Sequence, residues 1–224
     1  MNEVWILLLL IIAAALPVIF AFCYFRLKKP QLTLSLFLVS LAAGIISLLI
    51  AALLQTLFPY MRGQGGPFPV FYNVFFRIAL IEELSRIVIL VPFFRAVKRR
   101  RTIDLPLCAA VGLTAGLGFA MLESAFYGLA DANITLLRAF TAAPLHGACG
   151  IRAGAAAFFF SRFPFRALFL FTFAVLIHGA YNMMIVNPAL PSVLALLIAF
   201  TALFSSLSLL KNADKELHTH KKST

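Results

Sequence analysis

Five side chains stand out for their chemistry: Glu82, Glu83, Glu123, His146 and His178, each set inside a long apolar stretch. Carboxylates and imidazoles move protons to and from water, and they ligate zinc, which in catalytic centres takes three protein ligands and keeps one position open. Glu82 and Arg86 are four residues apart and Glu83 and Arg86 three, so on a helix the guanidinium can neutralise one carboxylate in place. Adjacent residues diverge by about 100° around a helix, so both glutamates face one cavity only if it is broad. Carboxylates this close titrate as a coupled pair and suit general acid–base work on water. Without chemistry, the same cluster reads as an ion-paired lock between helices.

The two histidines share a local pattern. His146-Gly147-Ala148-Cys149-Gly150 and His178-Gly179-Ala180-Tyr181-Asn182 each place Gly-Ala after the imidazole and a small or polar residue four positions on. Small residues let neighbouring helices come close, which brings each ring near a partner backbone. His178 and Asn182 fall on one helix face and can address one bound group. Glu123 follows Gly116 and Gly118 and precedes Tyr127 by one turn. Tyr127 can hydrogen-bond that carboxylate or a substrate carbonyl, or it is an interfacial aromatic. The chain has no HExxH zinc signature. Cys23, Cys108 and Cys149 are scattered through apolar sequence and read as small buried hydrophobes.

The elements that must position these groups follow from composition. Of 224 residues, 62% are hydrophobic and 12% charged, with a mean hydropathy of +1.00. Soluble domains run to about 45–50% apolar and about 25% charged. A soluble enzyme, a disordered chain and a secreted disulfide scaffold are therefore excluded, and the solvent is the bilayer. Apolar stretches at about 4–25, 32–58, 70–94, 105–130, 138–161, 167–187 and 190–210 each approach or exceed the ~20 residues a crossing helix needs. The expectation is an all-α polytopic bundle of about seven spans; because only Asn187, Pro188 and Pro191 part the last two, six spans and a re-entrant segment also fit. It forms one membrane domain over 1–210, with its catalytic core at about 70–187, and a polar basic tail at 211–224 that reads as frayed.

The net charge of +11 belongs to topology. Fourteen of the 19 basic residues fall after alternate spans: Arg26, Lys28 and Lys29; Arg95, Lys98 and Arg99 to Arg101; Arg162 and Arg166; Lys211, Lys215, Lys221 and Lys222. The intervening loops hold only Arg62 and Arg138, the latter at a helix start. By the positive-inside rule the N-terminus is outside and the C-terminus cytoplasmic. The charge then meets anionic lipid, and no aromatic-basic module suited to nucleic acid is present. The first apolar run has no basic residues before it and reads as a retained helix. Pro59 to Pro69, with Gly63, Gly65 and Gly66, reads as a flexible outside connector able to gate access.

Arg77, Glu82, Glu83, Arg86, Glu123, His146, Arg152, His178 and Asn182 remain inside the spans. A charge at the bilayer centre costs about 2.5–3.5 kcal/mol on insertion scales, so a shared polar site is the default reading. Depth agrees: at 1.5 Å per residue Glu82 and Glu83 lie about 18 Å below the outer end of their span, Glu123 about 10 Å, His146 about 12 Å and His178 about 14 Å.

Glu82-Glu83-Leu84-Ser85-Arg86, Phe119-x-x-x-Glu123, His146 and His178-x-x-x-Asn182, in this order and each on its own helix, resemble the PrsW family of intramembrane proteases. That family is related to the CAAX and bacteriocin-processing endopeptidases, and the likeness covers about residues 70–185. The resemblance implies a multi-pass protease of the bacterial inner membrane that makes the first cut in a single-pass anti-sigma factor. It casts Glu82 and Glu83 as activators of water and Glu123, His146 and His178 as metal ligands or polarising groups. The family usually has lysine where Arg86 stands, and CAAX endopeptidases have histidine where Glu123 stands. Two mechanisms remain open. In one, zinc bound by Glu123, His146 and His178 lowers the pKa of its water to about 7. In the other, a glutamate activates water directly while His178 and Asn182 stabilise the oxyanion. Outside the resemblance, intramembrane Glu and His also build proton- or cation-coupled transporters, and a partner-binding pseudoenzyme would keep the fold alone. Against a transporter, no inverted repeat is evident beyond the His-Gly-Ala echo.

Overall fold

Helix ends follow local signals. Thr33 caps the helix α3 (Leu34–Thr56), accepting from the Leu36 N–H at 3.3 Å, and Asp104 caps α6 (Leu105–Gly128), accepting from the Leu107 N–H at 2.8 Å. Each supplies an acceptor to an N–H left over in the first turn. The computed structural model describes residues 3–28, 31–62, 67–187, 191 and 193–222. All regular structure among these is helical. Before α3 come α1 (Glu3–Ala14) and α2 (Leu16–Lys28), broken at Ala15, where Pro17 withholds an N–H and crowds the preceding turn. Between α3 and α6 runs one long rod: α4 (Pro67–Phe71), a π-helical segment (Tyr72–Leu80) and α5 (Ile81–Lys98). After α6 come α7 (Ala132–Phe140), α8 (Ala142–Phe159), α9 (Pro164–Val186) and α10 (Val193–Lys222).

Over their described residues the seven apolar stretches are mainly helical, the first broken at Ala15 and the fifth at Thr141. Four helical segments are long and apolar enough to cross a membrane: Val4–Phe25, Leu34–Thr56, Leu105–Gly128 and Pro164–Val186. The other three fall short by that measure. The α4–α5 rod carries Glu82, Glu83, Arg86 and Arg77, α8 has 18 residues including His146 and Arg152, and the apolar part of α10 ends at Ser208. Large hydrophobic side chains such as Phe20, Leu53, Phe165, Phe169 and Leu197 point outward, as a bilayer-facing surface requires.

Three expectations are corrected. The stretch 138–161 is not one helix: it breaks at Thr141, so Arg138 lies near the end of α7 rather than at a helix start, and His146 lies in the second turn of α8. Pro144 causes the break, since in a continuous helix its ring would collide with the Phe140 carbonyl. The segment after Leu210 is helical as far as Lys222. Cys23 is exposed, while Cys108 and Cys149 are buried as expected. Lys29, Gly63, Gly65, Gly66 and Pro188 lie outside the described residues.

The centre of the bundle is the crossing of α6 with α8. A Cβ on Gly112 would strike the Gly150 carbonyl, one on Gly116 the His146 carbonyl, one on Gly150 the Gly112 carbonyl, and one on Gly154 the Cys108 carbonyl. Two small-xxx-small faces thus lie backbone to backbone. On the other side of α6, Gly44 of α3 meets the Ala115 carbonyl in the same way. Residues Cys108 to Ala120 of α6 are buried throughout. The backbone of His146 is therefore seated directly against α6, one turn before Phe119 and two before Glu123.

Candidate active site

Side chains from α3, α5, α6, α7, α8 and α9 meet in one chain of polar contacts. Arg86 (α5) donates to Glu83 Oε2, and its second terminal nitrogen lies 3.3 Å from His146 Nδ1 (α8). Glu83 Oε1 is 2.9 Å from His178 Nδ1 (α9). His146 Nε2 is 2.9 Å from Glu123 Oε2 (α6), an oxygen that also accepts from Arg138 (α7). Glu82 Oε1 accepts from the Gln55 amide (α3) at 3.3 Å. Its Oε2 faces His178 Nε2 at 3.6 Å and has no hydrogen-bond partner among the described residues. Glu82, Glu83, Arg86, His146 and His178 are all buried. The two imidazoles meet edge to face with centroids 4.9 Å apart, and Phe119 stacks on His146 at 5.0 Å while carrying the Arg86 guanidinium 4.7 Å above its ring.

These contacts place the imidazole protons. A guanidinium only donates, so His146 Nδ1 accepts and its Nε2–H donates to Glu123. Glu83, already accepting from Arg86, accepts a second proton donor in His178 Nδ1–H. In the neutral imidazole the lone pair on His178 Nε2 then points at Glu82 Oε2. Two buried acceptors face each other with nothing to share, an arrangement that costs about 1–3 kcal/mol per unsatisfied group. A proton or a cation between them removes the cost.

A metal fits this geometry. Glu82, His146 and His178 each offer a ligand atom within 4.8 Å of the others. Bonds of about 2.0–2.2 Å at tetrahedral angles would set neighbouring ligand atoms about 3.4 Å apart, close to the 3.6 Å between His178 Nε2 and Glu82 Oε2. Both imidazoles also hold a carboxylate on the other side, Glu83 for His178 and Glu123 for His146, as metal-binding histidines commonly do. Glu123, expected among the ligands, lies between His146 and Arg138, while the ligand atoms of Glu82 and the two imidazoles group within 4.8 Å.

The remaining candidates divide. Asn182 is half-buried, one turn after His178, and bonds to no other described side chain. Tyr127 is exposed, with Arg138 4.3 Å above its ring. Arg77 stands apart from the cluster and donates to the Phe58 carbonyl at 2.9 Å. Arg152 ties α8 to α10, donating to Ser205 at 2.6 Å, to Ser206 and to the Ala148 and Ala202 carbonyls. Sequence reasoning missed Gln55 and the part Arg138 plays. An amide in an otherwise apolar span was the available signal for Gln55, and an arginine six residues before a helix-breaking proline was the signal for Arg138.

Buried glutamates and imidazoles gathered among apolar helices suit hydrolysis inside a bilayer. A family model described as PrsW family intramembrane metalloprotease matches residues 30–207, and the chain belongs to that family. It is a multi-pass intramembrane protease, and its substrates are membrane proteins. The family makes the chain a protease rather than a transporter. No curated protein and no solved structure matches the chain.

Proposed function

We propose that the chain cuts a single-pass membrane protein of the anti-sigma-factor kind, in the outer half of the bacterial inner membrane, with its own N-terminus outside and C-terminus cytoplasmic. The observation that carries the reading is the buried Glu82 carboxylate, grouped with two imidazoles and with one oxygen, facing His178, that has no hydrogen-bond partner among the described residues. Glu82, His146 and His178 hold the metal, which we take to be zinc. Bound there, it would supply Lewis acidity and lower the pKa of water to about 7.

The chain's own residues do the rest. Glu82 Oε1 keeps a lone pair beside its 3.3 Å bond from Gln55 and takes the proton of the attacking water. Glu83 has both oxygens engaged, by Arg86 and His178, and serves to hold His178 rather than to move a proton. Arg86 keeps that carboxylate charged, and its second nitrogen, 3.3 Å from His146 Nδ1, would turn aside to free that lone pair for the metal. Asn182, whose side chain bonds to no other among the described residues, donates its amide N–H to the oxyanion that forms at the cleaved carbonyl.

The test is cleavage of a single-pass anti-sigma-factor reporter by purified enzyme in liposomes. Glu82→Gln and Glu83→Gln, folded and inserted, should each lose most activity. Cleavage by both at the wild-type rate would overturn the reading.

A further inference from the structure

We propose that Arg138 is a positioning residue of the site, acting on His146 through Glu123 as Arg86 acts on His178 through Glu83. The proposal rests on Glu123 and His146 belonging to the hydrolytic centre. Its basis is a repeated arrangement. Arg86 pairs with Glu83, which accepts from His178 Nδ1 at 2.9 Å; Arg138 pairs with Glu123, which accepts from His146 Nε2 at 2.9 Å. Each guanidinium lies over an aromatic ring of α6, Arg86 over Phe119 at 4.7 Å and Arg138 over Tyr127 at 4.3 Å. Phe119, Glu123 and Tyr127 follow one another at intervals of four, so one face of α6 carries both rings with Glu123 between them.

The two arginines differ in where they come from. Arg86 lies in the same turn region of α5 as the glutamates, whereas Arg138 is delivered by α7, a helix of nine residues. Several contacts fix α7 on the end of α6. Asp131 caps its start, bonding the Asn133 N–H at 3.0 Å, and the buried Thr135 hydroxyl donates to the Ser124 carbonyl at 3.1 Å. Gly128 leaves the room that Thr135 occupies, since a Cβ there would meet the Thr135 hydroxyl. Arg138 itself donates a further bond to Ser124 Oγ at 3.3 Å. The guanidinium is therefore held on three sides: the Glu123 carboxylate, the Ser124 hydroxyl and the Tyr127 ring.

Glu123 Oε2 receives both Arg138 and the His146 N–H. Without Arg138 the carboxylate loses the donor that fixes its torsion, and His146 loses the acceptor that fixes its ring. A glutamate alone on that helix has three rotatable bonds and could swing toward water, since its side chain is 14% exposed. Groups that orient metal-binding histidines are typically worth about 10–100-fold in affinity or activity.

The test uses the full-length enzyme in liposomes with Arg138→Gln and Arg138→Lys. Arg138→Gln should lower kcat about 10–100-fold with KM unchanged, and Arg138→Lys should restore part of the loss. A second readout is independent of turnover: in metal-stripped protein the His146 Nε2–H resonance, held by Glu123 in the wild type, should move in Arg138→Gln toward that of a weaker hydrogen bond, while Arg86 keeps the tautomer unchanged. If Arg138→Gln fails to insert, Ser124→Ala, which removes only the second anchor, should still lower kcat at constant KM. Unchanged kcat and unchanged His146 shifts would overturn the proposal, as would a rise in KM at constant kcat, which would mark Arg138 as a substrate contact. Glu82→Gln run alongside separates the two readings: activity there removes the hydrolytic site itself, whereas activity in Arg138→Gln alone removes only the positioning role.

Discussion

Glu82 turns its Oε2 toward Nε2 of His178 across 3.6 Å, and that oxygen accepts from no donor among the described residues. Both oxygens of Glu83 are anchored, by Arg86 and His178, and Oε2 of Glu123 is held by Arg138 and His146. Stability and function therefore part company at this residue. A folded lock would not leave a buried acceptor facing a lone pair, whereas a site that receives a cation or a proton needs such a pair.

Glu82→Gln tests that separation directly. The amide can donate to His178 Nε2 and satisfies the contact, so the thermal midpoint in detergent should be unchanged or higher. Loss of the proton acceptor should lower cleavage about 10²–10⁴-fold, the usual worth of a positioned base. A parallel fall in both quantities would make Glu82 a structural residue.

Metal removal gives the second prediction. Exhaustive chelation should abolish cleavage, and zinc should restore it. Elemental analysis should find about one ion per chain in wild type, and much less in His146→Ala or His178→Ala, because each removes one of three ligands. Full activity in metal-free enzyme would favour direct activation of water by Glu82, with His178 and Asn182 at the oxyanion.

Arg86→Lys gives the third. A guanidinium can bond Glu83, approach His146 Nδ1 and lie flat on Phe119 at once. An ammonium is a point charge that keeps the ion pair and forfeits the planar stack. The lost cation–π contact alone is worth about 0.5–2 kcal/mol, so kcat should fall roughly tenfold while the protein stays folded. Arg86→Met leaves Glu83 charged and buried and should destabilise the bundle by about 3–5 kcal/mol, read from thermal unfolding.

Much of this centre was legible before the structure. Charged and imidazole side chains inside apolar runs announce themselves by their cost, and the glycines flanking His146 and Glu123 announced a close helix crossing. Which carboxylate groups with both imidazoles as a candidate ligand was not legible, because Glu82 and Glu83 differ only by a rotation of their helix. The π-helical segment Tyr72–Leu80 precedes them, and its wider turns, each taking in an extra residue, change the phase that an unbroken α-helix would give α5. Its ties to the loop before it, Asn73 to Met61 at 2.8 and 3.0 Å and Arg77 to the Phe58 carbonyl, join residues far apart in sequence. Arg138 was hidden for a different reason. Counting loop charges reads topology from the number of cations and is blind to where each one points. Arg152 looked like Arg86 in the sequence, yet its partners are hydroxyls and carbonyls.

That last contrast yields a control. Arg152→Met removes the clamp between α8 and α10 without touching the cluster. Hydrogen bonds from a charged donor are worth about 1.5–3 kcal/mol net, so the unfolding midpoint should drop. Cleavage per folded molecule should stay at the wild-type level. Loss of specific activity would extend the site toward α10.

The glycines at the α6–α8 crossing permit a sharper comparison within one short segment. At Gly116 an added Cβ would run into the His146 carbonyl, which is backbone and cannot rotate away. Gly116→Ala must then push α8 off α6 and take His146 with it. Overpacking of this kind costs about 1–3 kcal/mol, and the displaced ring should lose its contacts with Phe119 and Glu123 together. Gly147, the residue next to His146, faces a different neighbour: its Cβ would lie 2.8 Å from Leu113 Cδ1, the end of a flexible side chain. Gly147→Ala should therefore be absorbed by a rotation of Leu113, with a smaller fall in the unfolding midpoint and most activity retained. Measuring the unfolding midpoint and the rate of cleavage for both variants tests whether backbone contact across this crossing seats the imidazole. Equal losses in the two would mean that any added bulk on this face, rather than the register of α8 against α6, governs the site.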